Sequence, residues 1–155
     1  MKFIFRIAIA VLAIVAVYVA ALALLPSDTV TSRYASLAEA RADQVFERGW
    51  LPDILPLSAT SIRTSNNLDL NISEGEFVYS RADNAQWLRH LRPYQPLDEF
   101  FAASAEEVDR MQKKGFLASS YVGEDSVWVF YCKSDVGYCR YYMWLRRGRI
   151  DAPIG

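Results

Sequence analysis

The chain begins with a long stretch of apolar, uncharged residues. The stretch starts at Ile7 and ends at Leu25, with Arg6 just before it and Asp28 as the next charged residue. As a helix it would be about 28 Å long, which is close to the roughly 30 Å thickness of the hydrocarbon core of a bilayer. Because basic residues precede the stretch, the positive-inside rule places residues 1–6 in the cytoplasm and the rest of the chain outside. The pattern predicts a single-pass anchor in the inner membrane, with the lipid bilayer as its partner.

The same stretch has features of a cleaved signal sequence. Ala21 and Ala23 form the small-x-small pattern that signal peptidase recognises. We favour the anchor, because the apolar run is longer than the h-region of about 7–15 residues in a signal sequence. Cleavage would instead release a secreted or periplasmic soluble protein. Both alternatives place the folded domain outside the cytoplasm.

Apolar residues next recur at helical spacing between Tyr34 and Phe46. A cap at Thr31 or Ser32 and a stop at Gly49 would bound this helix, which follows a linker over residues 26–33. The segment that comes next, residues 50–56, is apolar but rich in proline. We predict that it lies against the core as an extended loop.

Alternating apolar and polar positions over residues 68–73 predict a strand, and Glu74, Gly75 and Glu76 are expected to turn it into a second strand over residues 77–79. Two capping boxes then predict two short helices. The first box pairs Ser80 with Asp83, and the second pairs Ser104 with Glu107.

Three strands, over residues 116–122, 127–132 and 139–145, end the pattern as an antiparallel meander. The predicted fold class is therefore α+β: an N-terminal transmembrane helix, then a small domain whose antiparallel sheet is covered by about three helices on one face. The domain is expected to span residues 34–147 as a single unit. Residues 148–155 are expected to form a C-terminal tail.

Cys132 and Cys139 lie at the facing ends of the last two predicted strands. In an oxidising compartment they are expected to form a disulfide. The alternative is a redox or metal-binding pair, but their spacing is not Cys-x-x-Cys and the chain has a single histidine. No metal site is predicted. The pairing also sets a register in which Phe130 faces Tyr141.

In this register both faces of the last hairpin are apolar. One face can pack under the helices, and the other must be covered by another segment or contact a partner. Coverage by the 50–56 loop or another part of the chain and contact with a partner both remain open. The candidate binding surface consists of Val127, Val129, Tyr131, Tyr142 and Trp144.

Charge and motifs narrow the possible functions. The 17 basic and 18 acidic residues nearly cancel, so nucleic acid binding is not expected. No motif of a catalytic triad, a phosphate-binding loop or a dinucleotide site is present, and no catalytic residue or cofactor is predicted. His90 is expected to have a structural role near a helix end. The neighbouring carboxylates Asp98 and Glu99, and likewise Glu106 and Glu107, are the remaining candidates for acid–base chemistry.

Three segments, residues 34–41, 46–56 and 68–71, resemble uncharacterised bacterial membrane-anchored proteins. The resemblance implies a bacterial envelope setting and adds no activity and no site residues. The predicted function is a membrane-anchored extracytoplasmic domain that acts as a non-enzymatic binding or interaction module, with an envelope protein as partner. The alternatives are a small envelope hydrolase that uses Asp98 or Glu99, and a secreted protein released by signal cleavage.

Overall fold

The computed structural model describes residues 11–12, 14–18, 28–95, 103–123 and 126–145. The strands form one seven-stranded sheet, in which every neighbouring pair of strands is antiparallel. In chain order the strands are β1 (Thr29–Ser36), β2 (Thr60–Asn67), β3 (Ile72–Val78), β4 (Arg92–Pro93), β5 (Leu117–Val122), β6 (Ser126–Lys133) and β7 (Tyr138–Leu145). Their spatial order is β1-β2-β3-β7-β6-β5-β4. Two meanders, β1-β2-β3 and β5-β6-β7, are thus joined side by side through β3 and β7.

The helices around this sheet are short. They are α1 (Leu37–Ala42), α2 (Asn84–Trp87) and α3 (Ala105–Lys113), and α2 lies between the 3-10 turns Arg81–Asp83 and Leu88–His90. The predicted cap of α3 is confirmed, since the Ser104 hydroxyl accepts a hydrogen bond of 3.2 Å from the backbone N–H of Glu107.

The sheet separates two hydrophobic clusters. We call the side that carries Phe77, Phe130 and Tyr141 the core face; α1, the 43–59 loop and Trp87 of α2 pack on it. We call the opposite side the second face. There α3 packs over β5 and β6, with Met111 against Val129 and its neighbours.

The predicted α+β fold class, with about three helices on one face, was therefore wrong. The described chain is mainly a seven-stranded antiparallel sheet, its few helices are short, and they lie on both faces. The capping boxes at Ser80 and Ser104 located the starts of helical segments correctly, but they contain no information about the side of the sheet on which a helix packs.

The helix predicted from about residue 31 to residue 48 is instead β1 followed by α1. β1 pairs with β2 along most of its length, and its residues Thr29, Val30 and Thr31 are β-branched, which favours a strand. The true helix cap is Ser36, whose hydroxyl accepts from the N–H of Glu39 at 3.2 Å. β1 begins inside the stretch 26–33 that the sequence assigned to a linker.

The hairpin predicted over residues 68–79 is shifted. The turn lies between β2 and β3, where the Asn67 side chain accepts a hydrogen bond of 2.8 Å from the N–H of Leu70 and Asn71 has φ 48°. Gly75, expected in a turn, lies inside β3. A Cβ at this position would collide with the carbonyl oxygen of Arg63 and with the phenol of Tyr141. This glycine therefore permits close packing within the sheet.

The predicted transmembrane helix is not supported. Within the described part of the chain, no helix has the length and hydropathy needed to cross a membrane. Of the stretch from Ile7 to Leu25, residues 11–12 and 14–18 are described, and they are helical. Its remaining residues, the preceding residues 1–6 and the tail 148–155 lie outside the described residues.

The last meander agrees with the sequence. Cys132 and Cys139 form a disulfide, and Phe130 lies opposite Tyr141 as predicted. The disulfide indicates an oxidising, extracytoplasmic environment. The apolar 50–56 loop was also predicted correctly, since its residues Leu51 and Leu55 are buried against the core face.

Candidate functional site

Part of the predicted binding surface lies in the interior. Val127, Val129 and Tyr131 are each 0% exposed, and they form a cluster with Met111 of α3. The chain leading into α3 is fastened by Tyr94, whose hydroxyl donates a hydrogen bond of 2.5 Å to the carbonyl of Ala103. These residues cannot contact a partner while α3 stays in place.

The other two residues of that surface, Tyr142 and Trp144, are half-buried at the edge of this cluster. Their ring centroids lie 5.4 Å apart, and the buried ring of Tyr131 meets Tyr142 edge-on at 5.9 Å. The guanidinium of Arg140 lies 5.8 Å from the centre of the Tyr142 ring. One side of the aromatic pair thus packs against the buried cluster under α3, and the other side remains accessible.

Beyond Tyr142 the second face continues across β3, β2 and β1, where no described helix packs on it. The strand register arranges its side chains in two rows, because directly opposed residues on antiparallel strands lie about 4.5–5.5 Å apart. One row contains Thr31, Ser65, Glu74 and Tyr142, and the other contains Arg33, Arg63, Glu76 and Arg140.

Two cavities adjoin along these rows and share Ser65, Glu74 and Tyr142. One, of ≈ 300 Å³, extends towards Trp144, and the other, of ≈ 200 Å³, extends towards Arg63. We call the surface formed by Arg63, Ser65, Glu74, Arg140, Tyr142 and Trp144 the contact face.

The electrostatics of the contact face follow from a few interactions. Glu76 accepts a hydrogen bond of 2.7 Å from the hydroxyl of Tyr138. Burial together with this bond raises the pKa of Tyr138 to about 12. Arg33 and Arg63 lie directly opposite each other, and neither forms an ion pair within the described chain. Burial raises the pKa of Tyr142, so its phenol stays neutral at physiological pH and can donate a hydrogen bond.

A separate cavity of ≈ 310 Å³ opens on the side of the molecule covered by α2 and the 50–56 loop. It is lined by residues 53–57 together with Asp83, Gln86, Trp87 and His90. This cavity was not predicted from the sequence, because it forms only where two segments that are distant in sequence meet. Its closest sequence signal was Asp53, a single acidic residue in an otherwise apolar segment.

Of the candidate acid–base residues, the structure describes Glu106 and Glu107. Asp98 and Glu99 lie outside the described residues. Glu106 and Glu107 occupy the first turn of α3, where carboxylates stabilise a helix N-terminus. Among the residues that the structure describes, no three His, Cys, Asp or Glu side chains are grouped so that they could hold a metal ion.

The fold and site define a class: a small antiparallel sheet domain with a disulfide, helices on both faces and a partly uncovered second face. Residues 28–78, which contain β1 to β3, match the family model of the YbbD head domain. The match covers about a third of the chain, including the three segments on which the resemblance rested. No curated protein and no solved structure matches the chain. The similarity points to a small bacterial domain family and carries neither an activity nor a membrane anchor.

Proposed function

We propose that this chain is an extracytoplasmic, non-enzymatic binding module whose contact face engages another envelope protein. The observation that carries the proposal is the aromatic pair Tyr142 and Trp144, whose rings are in contact and half-buried beside strands whose second face no described helix covers. Export follows from the uncharged stretch 7–25 acting as a signal sequence, in agreement with the disulfide between Cys132 and Cys139.

The aromatic pair suits an anchor for a protein partner. Tyr, Trp and Arg are the residues that most often dominate the binding energy of protein interfaces. The rings of Tyr142 and Trp144 already contact each other and the buried cluster, so little side-chain freedom remains to be lost on binding.

Polar side chains surround this anchor and supply directional contacts. Ser65 of β2 and Glu74 of β3 line both adjoining cavities, and Arg63, also of β2, lines the smaller one. An apolar centre with a hydrogen-bonding rim is the usual anatomy of a protein–protein interface. Arg63 also offers a partner carboxylate a bidentate site that the described chain leaves unused.

The proposal can be tested in living cells with a photo-crosslinking amino acid. p-Benzoylphenylalanine replaces Trp144 in one variant and Val136, an exposed residue in the β6–β7 turn, in the matched control. We expect a discrete adduct from position 144 and none from position 136. The adduct should be lost with Arg63→Glu but kept with Arg89→Glu, which changes an exposed arginine elsewhere.

Either of two results would contradict the proposal. One is the absence of any adduct from position 144 in cells that express the full chain. The other is an adduct that persists unchanged with Arg63→Glu, because a partner seated on the contact face must meet that side chain.

A further inference from the structure

The cavity beside α2 is a separate site with its own chemistry. It lies apart from the contact face, since none of its lining residues lines the two cavities there. Its volume of ≈ 310 Å³ falls in the range of small-molecule sites. An apolar wall is formed by Ile54, Leu55, Pro56 and Leu57.

Trp87 adds a rigid aromatic surface to the cavity lining. The residue is 2% exposed, and its ring contacts Phe77, Tyr79 and Phe130, which hold the indole in place. Its Nε1–H is buried and has no acceptor among the described residues. The indole ring therefore offers the apolar part of a ligand a contact that is already fixed in position.

The charge of the lining favours a cation. Asp53 and Asp83 supply two carboxylates, whereas the described lining contains no lysine or arginine and His90 is its one basic side chain. Asp83 is fixed in position, because one of its oxygens accepts hydrogen bonds from Ser58, of 2.6 Å from the hydroxyl and 3.3 Å from the N–H. Asp53 is exposed and makes no hydrogen bond within the described chain, so it is free to meet a ligand.

We propose that this cavity binds a small organic amine that has an apolar body. The ammonium group lies near Asp53 and Asp83, and the apolar body packs on the wall formed by residues 54–57 and on the indole ring of Trp87. This site is independent of the contact face, so either proposal can fail without the other.

Three related probes separate charge from apolar contact. They are 2-amino-1-phenylethanol, which carries both the ammonium group and an apolar body, 2-phenylethanol, which lacks the ammonium group, and phenylacetate, which is an anion. Binding to the full chain is followed through the indole N–H resonances of its four tryptophans, of which the Trp87 signal is assigned with Trp→Phe variants of the other three.

We expect the amine to shift the Trp87 resonance and to bind at least about threefold more tightly than the alcohol, as for a partly exposed ion pair. Phenylacetate should bind most weakly. Asp53→Asn should weaken binding of the amine by a similar factor, while Asp69→Asn, which removes a carboxylate in the exposed β2–β3 turn, should leave binding unchanged.

Three outcomes would overturn the inference. They are equal binding of the amine and the alcohol, equal effects of Asp53→Asn and Asp69→Asn, and the absence of a Trp87 shift at millimolar amine. Because Asp53 and Asp69 are both exposed, neither substitution is expected to prevent folding, which thermal unfolding of each variant checks.

Discussion

At the scale of single residues, Gly75 and Tyr141 show how the sheet packs across two strands. Tyr141 is 0% exposed and lies opposite Gly75, so its phenol occupies the space that a side chain at position 75 would need. Burial raises the pKa of Tyr141, and its hydroxyl has no partner within the described chain. An aromatic ring across a strand glycine replaces the missing side-chain packing.

Gly75→Ala should lower the free energy of unfolding by about 1–3 kcal/mol, because overpacking a buried site forces neighbouring groups to shift. Gly123→Ala is the matched control. A Cβ at Gly123 would lie 3.4 Å from the Ser126 hydroxyl, an ordinary contact, so the change should cost less than about 0.5 kcal/mol. Urea unfolding measures both variants, and equal stabilities would contradict this account of the packing.

At the scale of elements, the β6–β7 hairpin is fixed by a covalent bond at its turn end. The disulfide joins Cys132 to Cys139, a sequence separation of 7, and the directly opposed pairs continue to Val127 and Trp144. The hairpin brings Phe130 and Tyr141 onto the core face, and Tyr142 and Trp144 onto the second face.

Replacing both cysteines by alanine should lower the free energy of unfolding by about 2–3 kcal/mol, as the chain-entropy model gives for so short a loop. The double variant should keep the fold, because the strands still pair along their length. Urea unfolding with and without reductant measures the effect. If reduction destabilises the wild type but leaves the double variant unchanged, the disulfide is the cause of the difference in stability. Equal stability of the oxidised wild type and the double variant would contradict a stabilising role for the disulfide.

The β6–β7 hairpin and β1 show which elements a local sequence pattern can predict and which it cannot. The β6–β7 hairpin was predicted with its register, because two cysteines and continuous apolar strands define it locally. β1 was missed because Tyr34, Leu37 and Phe46 fit a helical spacing by coincidence, although they belong to a strand, a helix and a loop. Pairing with β2, which begins at Thr60, decides the conformation of β1, and a local pattern cannot contain that information.

The candidate site was predicted in part for the same reason. Alternation along β6 and β7 correctly grouped Val127, Val129 and Tyr142 on one face, but it could not show that α3 covers the first two. Ser65, Glu74 and Arg63 were missed because they join this surface only through the pairing of β3 with β7. The cavity beside α2 likewise depends on contacts between distant segments.

At the scale of the whole molecule, buried and half-buried tyrosines couple stability to pH. Burial is the first cause of a raised pKa at each of these tyrosines: Tyr34, Tyr79, Tyr94, Tyr131, Tyr138, Tyr141 and Tyr142. Because the folded state keeps the proton that the unfolded state loses, these groups stabilise the fold below the unfolded pKa of about 10. Their contribution is lost as the pH rises above that value.

The free energy of unfolding should therefore fall between pH 10 and pH 12, by up to about 1.4 kcal/mol per pH unit for each such tyrosine. Urea unfolding at pH 8, 10 and 11 measures the slope. Tyr138→Phe removes one group, whose folded pKa is about 12, and should make the slope shallower. A free energy of unfolding that stays constant up to pH 11 would contradict the raised pKa values of these phenols in the folded state.

At the same scale, the two proposed sites are separate. The contact face spans β7, β3 and β2, and the cavity beside α2 lies where the 50–56 loop meets Trp87. The central claim is that the contact face binds a protein partner.

The most direct test of that claim is the affinity of the purified chain for the partner that the position-144 cross-link captures, measured by calorimetry. We expect Tyr142→Ala to weaken binding at least about tenfold, as for an interface hot spot. Val136→Ala, which truncates an exposed residue in the β6–β7 turn, should leave the affinity unchanged. Equal affinities of the wild type and Tyr142→Ala, with both proteins folded, would contradict the assignment of the contact face.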